Sequence, residues 1–171
     1  LTPERVTPSS NRKVWWRCEA GHSWLTDVRV RTGGSGCPYC AGRVLSEGFN
    51  DLETVSPALA AEWDREKNGS LEPSDVLYGS SRHVWWRCPK GHSWQASVIS
   101  RSRGSGCPVC EGKTVVPGEN DLQTLYPKLA SEWDQKRNGK IGPDKVTAFS
   151  NKRVWWRCSL GHEWQARIAA R

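Results

Sequence analysis

Val14-Trp15-Trp16-Arg17-Cys18-Glu19-Ala20-Gly21-His22-Ser23-Trp24, followed by Gly36-Cys37-Pro38-Tyr39-Cys40, is the stretch on which the reading of this chain turns. It holds the pattern Cys18-x3-His22-x14-Cys37-x2-Cys40, and Cys88-x3-His92-x14-Cys107-x2-Cys110 repeats it. Thiolate sulfur and imidazole nitrogen together suit a zinc ion, which prefers four tetrahedral ligands. A Cys-x2-Cys turn brings two sulfurs to one ion. Gly21 and Gly91 give the Cys-x3-His turn a residue that tolerates positive φ. Pro38 and Pro108 stiffen the second turn.

Other chemistries fit less well. Cys37-Pro38-Tyr39-Cys40 alone has the look of a dithiol redox motif, but that motif needs a βαβ context and leaves the upstream Cys and His unexplained. Disulfides leave one thiol of each three unpaired. With four protein ligands the sites are expected to be structural and closed. Modules this small also need a metal staple.

Outward from these residues the chain is a repeat. Val-Trp-Trp-Arg-Cys begins at Val14, Val84 and Val154, an offset of 70 each time, and residues 1–70 match 71–140 at 36 of 70 positions. The third copy retains Cys158 and His162. We therefore expect two complete zinc sites and one half-site. Domains are expected at 1–48, at 49–115 with a leading helix, and at 116–171, a helix plus the half-site. The chain opens Leu1-Thr2-Pro3 and stops inside a third period, so it reads as a piece of a longer protein, cut at both ends.

Mixed secondary structure is expected. Ser56-Pro57 and Tyr126-Pro127 read as helix starts, with Leu59 and Trp63, then Leu129 and Trp133, on one helix face. Asn68-Gly69 and Asn138-Gly139 read as stops. His83 to Cys88 reads as a strand. From Trp94 to Arg101 helix and strand spacings both fit. If 14–18 is a strand, Val14, Trp16 and Cys18 share the inner face, and Trp15 and Arg17 point away. The outward tryptophans, Trp15, Trp85 and Trp155, then either cover the preceding helix or meet a ligand.

Charge follows the repeat within a total of +7. Residues 1–45, 71–115 and 141–171 carry +4, +3 and +4, while 46–70 and 116–140 carry −4 and zero. Basic zinc segments suggest a polyanion-facing side. The candidate contacts are Arg12, Lys13, Trp15, Arg17 and Arg31; Arg82, Trp85, Arg87, Arg101 and Arg103; and Lys152, Arg153, Trp155, Arg157 and Arg171. Gly/Ser stretches at 33–36 and 104–106 read either as phosphate-facing backbone or as plain connectors. Asp51, Asp121 and the Glu62-x-Asp64 and Glu132-x-Asp134 pairs read as helix caps and solvated helix faces. Three of four histidines are committed to metal or its remnant, so no catalytic centre is expected. No apolar run is long enough for a membrane span.

The combined pattern Trp-Trp-x-Cys-x2-Gly-His-x-Trp, Gly-x-Gly-Cys-Pro-x-Cys and Asn-Asp-Leu-x-Thr-x2-Pro-x-Leu-Ala-x-Glu-Trp-Asp closely resembles the probable zinc-ribbon domain family. It runs from Trp15 through Asp64 and again from Trp85 through Asp134. The resemblance implies small α+β, treble-clef-like modules in tandem. It assigns the ligands to Cys18, His22, Cys37, Cys40, Cys88, His92, Cys107 and Cys110. It also implies an array that binds nucleic acid and sits beside a nuclease-like domain. Double-stranded DNA is the expected partner in a cytoplasmic setting. Single-stranded DNA or RNA stacked on tryptophan, or a protein-interaction scaffold, are the alternatives.

Overall fold

The computed structural model describes residues 2–171. The fold is the expected one: short hairpins and helices form small α+β modules in tandem. Contacts gather the chain into two compact units. One holds the residues up to Pro89 together with Gln95–Gly104; the other holds Lys90–Trp94 together with Ser105–Arg171.

In the first unit β1 (Lys13–Arg17) and β2 (Ser23–Asp27) form an antiparallel hairpin with Trp16 opposite Trp24. Alternation works as expected on β1: Val14 and Trp16 are partly buried, while Lys13, Trp15 and Arg17 are exposed. β2 passes directly into α1 (Val28–Thr32), which ends at Gly33-Gly34, with Gly34 at φ 93°.

Next come three one-turn helices, α2 (Leu52–Val55), α3 (Pro57–Ala60) and α4 (Arg65–Asn68), and then β3 (His83–Arg87). α3 starts at the expected proline but ends after one turn, so Trp63 does not share a helix face with Leu59. The chain leaves the helix there to pair with the edge of β3. Trp63 bridges Trp86, the Asp64 N–H donates to Trp85 O at 3.1 Å, and the Arg87 N–H donates to Glu62 O at 2.7 Å. Sheet-edge pairing replaces the helical bonds that are given up. Asp64 is not on a solvated face either. It is 2% exposed and caps α4 by accepting from the Lys67 N–H.

β3 and β4 (Ser93–Ser97) form the second two-stranded sheet, and α5 (Val98–Ser102) follows β4 at once. The ambiguous stretch is thus a strand and then a helix. The switch falls at Ser97, whose hydroxyl accepts from the Ser100 N–H. The core around β3 holds Leu52, Trp63, Val76, Val84, Trp86 and Val98. Trp63 and Trp86 meet edge to face with centroids 5.6 Å apart.

The second unit repeats the plan. Helices α6 (Leu122–Leu125), α7 (Pro127–Ala130) and α8 (Gln135–Asn138) precede the hairpin of β5 (Arg153–Arg157) and β6 (Glu163–Arg167). Its core is Leu122, Trp133, Val146, Ala148, Val154, Trp156 and Ile168. Trp133 and Trp156 again meet edge to face at 5.6 Å. Among the described residues no helix is long and apolar enough to cross a membrane.

Candidate metal centre

The Cys18-x3-His22 turn is a tight loop closed by its own backbone. The Cys18 N–H donates to His22 O at 3.1 Å and the Gly21 N–H to Cys18 O at 3.0 Å, with Gly21 at φ 85°. A side chain there would be strained in the left-handed region. The facing Cys-x2-Cys turn is closed by the Ala41 N–H to Cys37 O and the Arg43 N–H to Pro38 O. Asn50 locks that turn from outside, donating to Tyr39 O and Val44 O, both at 2.9 Å, and accepting from the Ser46 N–H. Asn120 does the same for Val109 O, Thr114 O and the Val116 N–H. In the sequence pattern Asn50 and Asn120 are only the first residues of the Asn-Asp-Leu stretch. Their recurrence at the 70-residue offset was the available signal.

These turns bring Cys18, His22, Cys37 and Cys40 together, and likewise Cys88, His92, Cys107 and Cys110. In each set the candidate ligand atoms lie within 4.8 Å of one another. Tetrahedral zinc with Zn–S near 2.3 Å and Zn–N near 2.0–2.1 Å implies S···S of about 3.8 Å and S···N of about 3.6 Å. Cys18 Sγ and Cys40 Sγ are 3.8 Å apart, and each lies 3.4 Å from His22 Nδ1. His92 Nδ1 lies 3.5 Å from Cys107 Sγ and 3.3 Å from Cys110 Sγ. Both sets are therefore compatible with zinc, with Nδ1 facing the ion.

The third turn keeps the same local geometry. Cys158 Sγ and His162 Nδ1 are 3.6 Å apart, and the Cys158 N–H donates to His162 O at 3.1 Å. Among the described residues no further Cys, His or carboxylate joins them in a metal-holding group. The turn is thus preformed by backbone bonds.

Two of the clustered thiols, Cys18 and Cys40, ionise unequally. Desolvation pushes the Cys18 thiol up, but hydrogen bonding to His22, Cys37 and Cys40 outweighs it and brings the thiol down to about 7. Desolvation, reinforced by Cys37 and Cys18, raises Cys40 to about 11. A cation placed among them would relieve that repulsion.

The candidate anion-contacting residues divide. Arg101 is turned inward: it is 8% exposed, pairs with Glu62, and lies 5.3 Å from the Trp86 ring centroid. At the equivalent positions Arg31 covers Trp16 and Trp24, and Arg171 covers Trp156 and Trp164 while pairing with Glu132. All three lie over tryptophans, although only Arg101 is buried and Arg171 stays exposed. Stacking of guanidinium on ring faces favours this arrangement, and for Arg101 and Arg171 a carboxylate adds to it.

The outward tryptophans also differ. Lys67 Nζ sits 4.3 Å from the Trp85 ring, and Arg137 Cζ sits 4.2 Å from the Trp155 ring. Asn68 and Asn138 clamp the backbone N–H and C=O of Trp85 and Trp155. Those two tryptophans therefore do cover the preceding helix, whereas Trp15 is 73% exposed. Arg12, Lys13, Arg17, Arg82, Arg103, Lys152, Arg153 and Arg157 are exposed. Arg87 is exposed but held by Asp64 at 3.2 Å and Glu66 at 2.9 Å. In the glycine stretch the Gly106 N–H is taken by Glu111.

A family model described as a probable treble clef zinc finger domain matches the chain three times, over residues 1–43, 59–113 and 129–171. The middle match begins inside α3 and ends just past the second Cys-x2-Cys turn. No curated protein matches the chain.

Proposed function

This chain belongs to the probable treble clef zinc finger domain family, and from that membership we propose a non-catalytic tandem zinc module that docks on double-stranded DNA. Zinc is the ion, held once by Cys18, His22, Cys37 and Cys40 and once by Cys88, His92, Cys107 and Cys110. Its role is structural, because four protein ligands leave no open position for water. Cys158 and His162 form the remaining half-site.

The observation that carries the DNA reading is the outward side of each first strand. β1, β3 and β5 present Lys13, His83 or Arg153 at the first residue and Arg17, Arg87 or Arg157 at the fifth, all exposed. Arg12, Arg82 and Lys152 precede them. Repetition of such a face lets weak phosphate contacts add through effective concentration. Arg87 contributes least, since Asp64 and Glu66 already compensate its charge. Arg157 has Lys136 where Arg87 has Glu66.

The test is fluorescence anisotropy of a labelled duplex as salt is varied. Each neutralised phosphate should add about −0.9 to the log–log slope. Arg17→Ala and Arg157→Ala should each flatten the slope by about one such step, and Arg101→Ala should leave it unchanged. A flat wild-type plot would sink the reading. A second reading, stacking of single strands on tryptophan, has one observation in its favour, the exposure of Trp15. Quenching by single strands but not by duplex, lost in Trp15→Ala, would favour it.

A further inference from the structure

The two metal centres share their ligands but not what holds their histidines. His22 lies among rings: Tyr39 stacks on it with centroids 5.2 Å apart, and Phe49 meets it edge-on at 4.3 Å. Among the described residues none hydrogen-bonds its Nε2; its bonds run through Nδ1. At the positions 70 residues later, Val109 replaces Tyr39 and Glu119 replaces Phe49. The Glu119 carboxylate bonds the outward Nε2 of His92, whose Nδ1 faces Cys107 and Cys110. His92 is 13% exposed and Glu119 45%, so the pair sits at the rim of the centre.

A carboxylate on the far nitrogen fixes the proton at Nε2, leaves Nδ1 as the lone-pair ligand and increases its basicity. Aromatic packing orients the ring of His22 but supplies none of that charge. We propose that Glu119 is a positioning residue for His92, and that it makes the His92 centre hold zinc more tightly than the His22 centre. Phe49 marks the weaker centre. This rests on the zinc reading above.

The test uses the full chain loaded with zinc and a chromogenic chelator in excess. Cys40→Ala leaves only the His92 centre intact and Cys110→Ala only the His22 centre, so each release phase can be assigned. Wild type should release zinc in two phases, the slower from the His92 centre. Glu119→Ala should speed that phase about 10–100-fold, the usual effect of removing such a partner, and Glu119→Gln should recover part of the loss. Phe49→Glu should slow the other phase. The loss belongs to positioning if long-range proton–nitrogen spectra show the His92 Nε2–H signal shifting in Glu119→Ala while the amide signals of the β5–β6 hairpin stay put. Two bound zinc ions released at one rate, or a Glu119→Ala chain with an unchanged slow phase, overturns the proposal alone. A chain that takes up no zinc overturns the zinc reading and the proposal together.

Discussion

Asp51 and Asp121 are each 1% exposed, yet both are bound as carboxylates. Burial pushes their carboxyls up, but hydrogen bonds from Thr54 and Gly48, and from Thr124 and Gly118, outweigh it and hold both below the usual range. A folded value below the unfolded one, about 3.9, means their stabilisation is fully present above that value. It is lost as pH falls through the folded value. Asp51→Ala should therefore lower stability near neutrality by about 0.5–2 kcal/mol, the usual range for losing a helix cap. The gap to wild type should close on acidification in denaturant titrations; a gap that widens would contradict this. The capping role of Asp51 was legible from its place before an apolar helix start. The burial of Asp64 was not, because an acidic residue after a tryptophan on a helical pattern reads as solvated until the chain is seen to leave the helix.

Helices of four residues have no stability of their own, since nucleation alone outweighs one turn of hydrogen bonds. α4 persists because Asp64 caps it, Gly69 at φ 62° ends it, and Asn68 ties it to β3. Asn68→Ala removes both bonds to the Trp85 backbone and should cost about 1–3 kcal/mol. In hydrogen exchange, protection at Trp85 and Arg87 should fall while β1 and β2 are unaffected; unchanged protection at Trp85 would refute the clamp. The first strand of each hairpin, the prolines that open α3 and α7 and the Cys/His turns were readable, because each depends on local chemistry at fixed spacing; the second strands were not, since the spacing from Trp94 to Arg101 fits helix and strand alike. The return of Glu62-Trp63-Asp64 to the edge of β3 was not. It is a contact between segments about 23 residues apart, and no periodicity encodes it.

Across the whole chain the arginines have two uses that composition cannot separate. The positive sign of the zinc segments includes Arg31, Arg101 and Arg171, which cover tryptophans, as well as Arg17 and Arg157, which face solvent. Arg101→Ala should destabilise the fold by about 1–3 kcal/mol, because it strips a charged partner from Glu62. The reverse pattern, normal stability with weakened DNA binding, would return Arg101 to the surface. The two Cys/His groupings were legible from their spacing, and the side chains hydrogen-bonded around them, Asn50, Asn120 and Glu119, were not. Zinc should dominate the energetics of modules with so little core, since structural ions contribute about 10–16 kcal/mol in comparable peptides. Removing it with a chelator should abolish the near-ultraviolet circular dichroism of the buried tryptophans, and restoring zinc should recover it. A signal that survives removal would show that the cores stand without metal.

Metal stoichiometry by mass spectrometry on the purified chain is the most direct check of all this. Two zinc ions per chain are expected, falling to one in Cys40→Ala and to one in Cys110→Ala, and staying at two in Cys158→Ala. Zinc absent from the wild type, or a count that Cys40→Ala and Cys110→Ala leave at two, would contradict the assignment of the two centres.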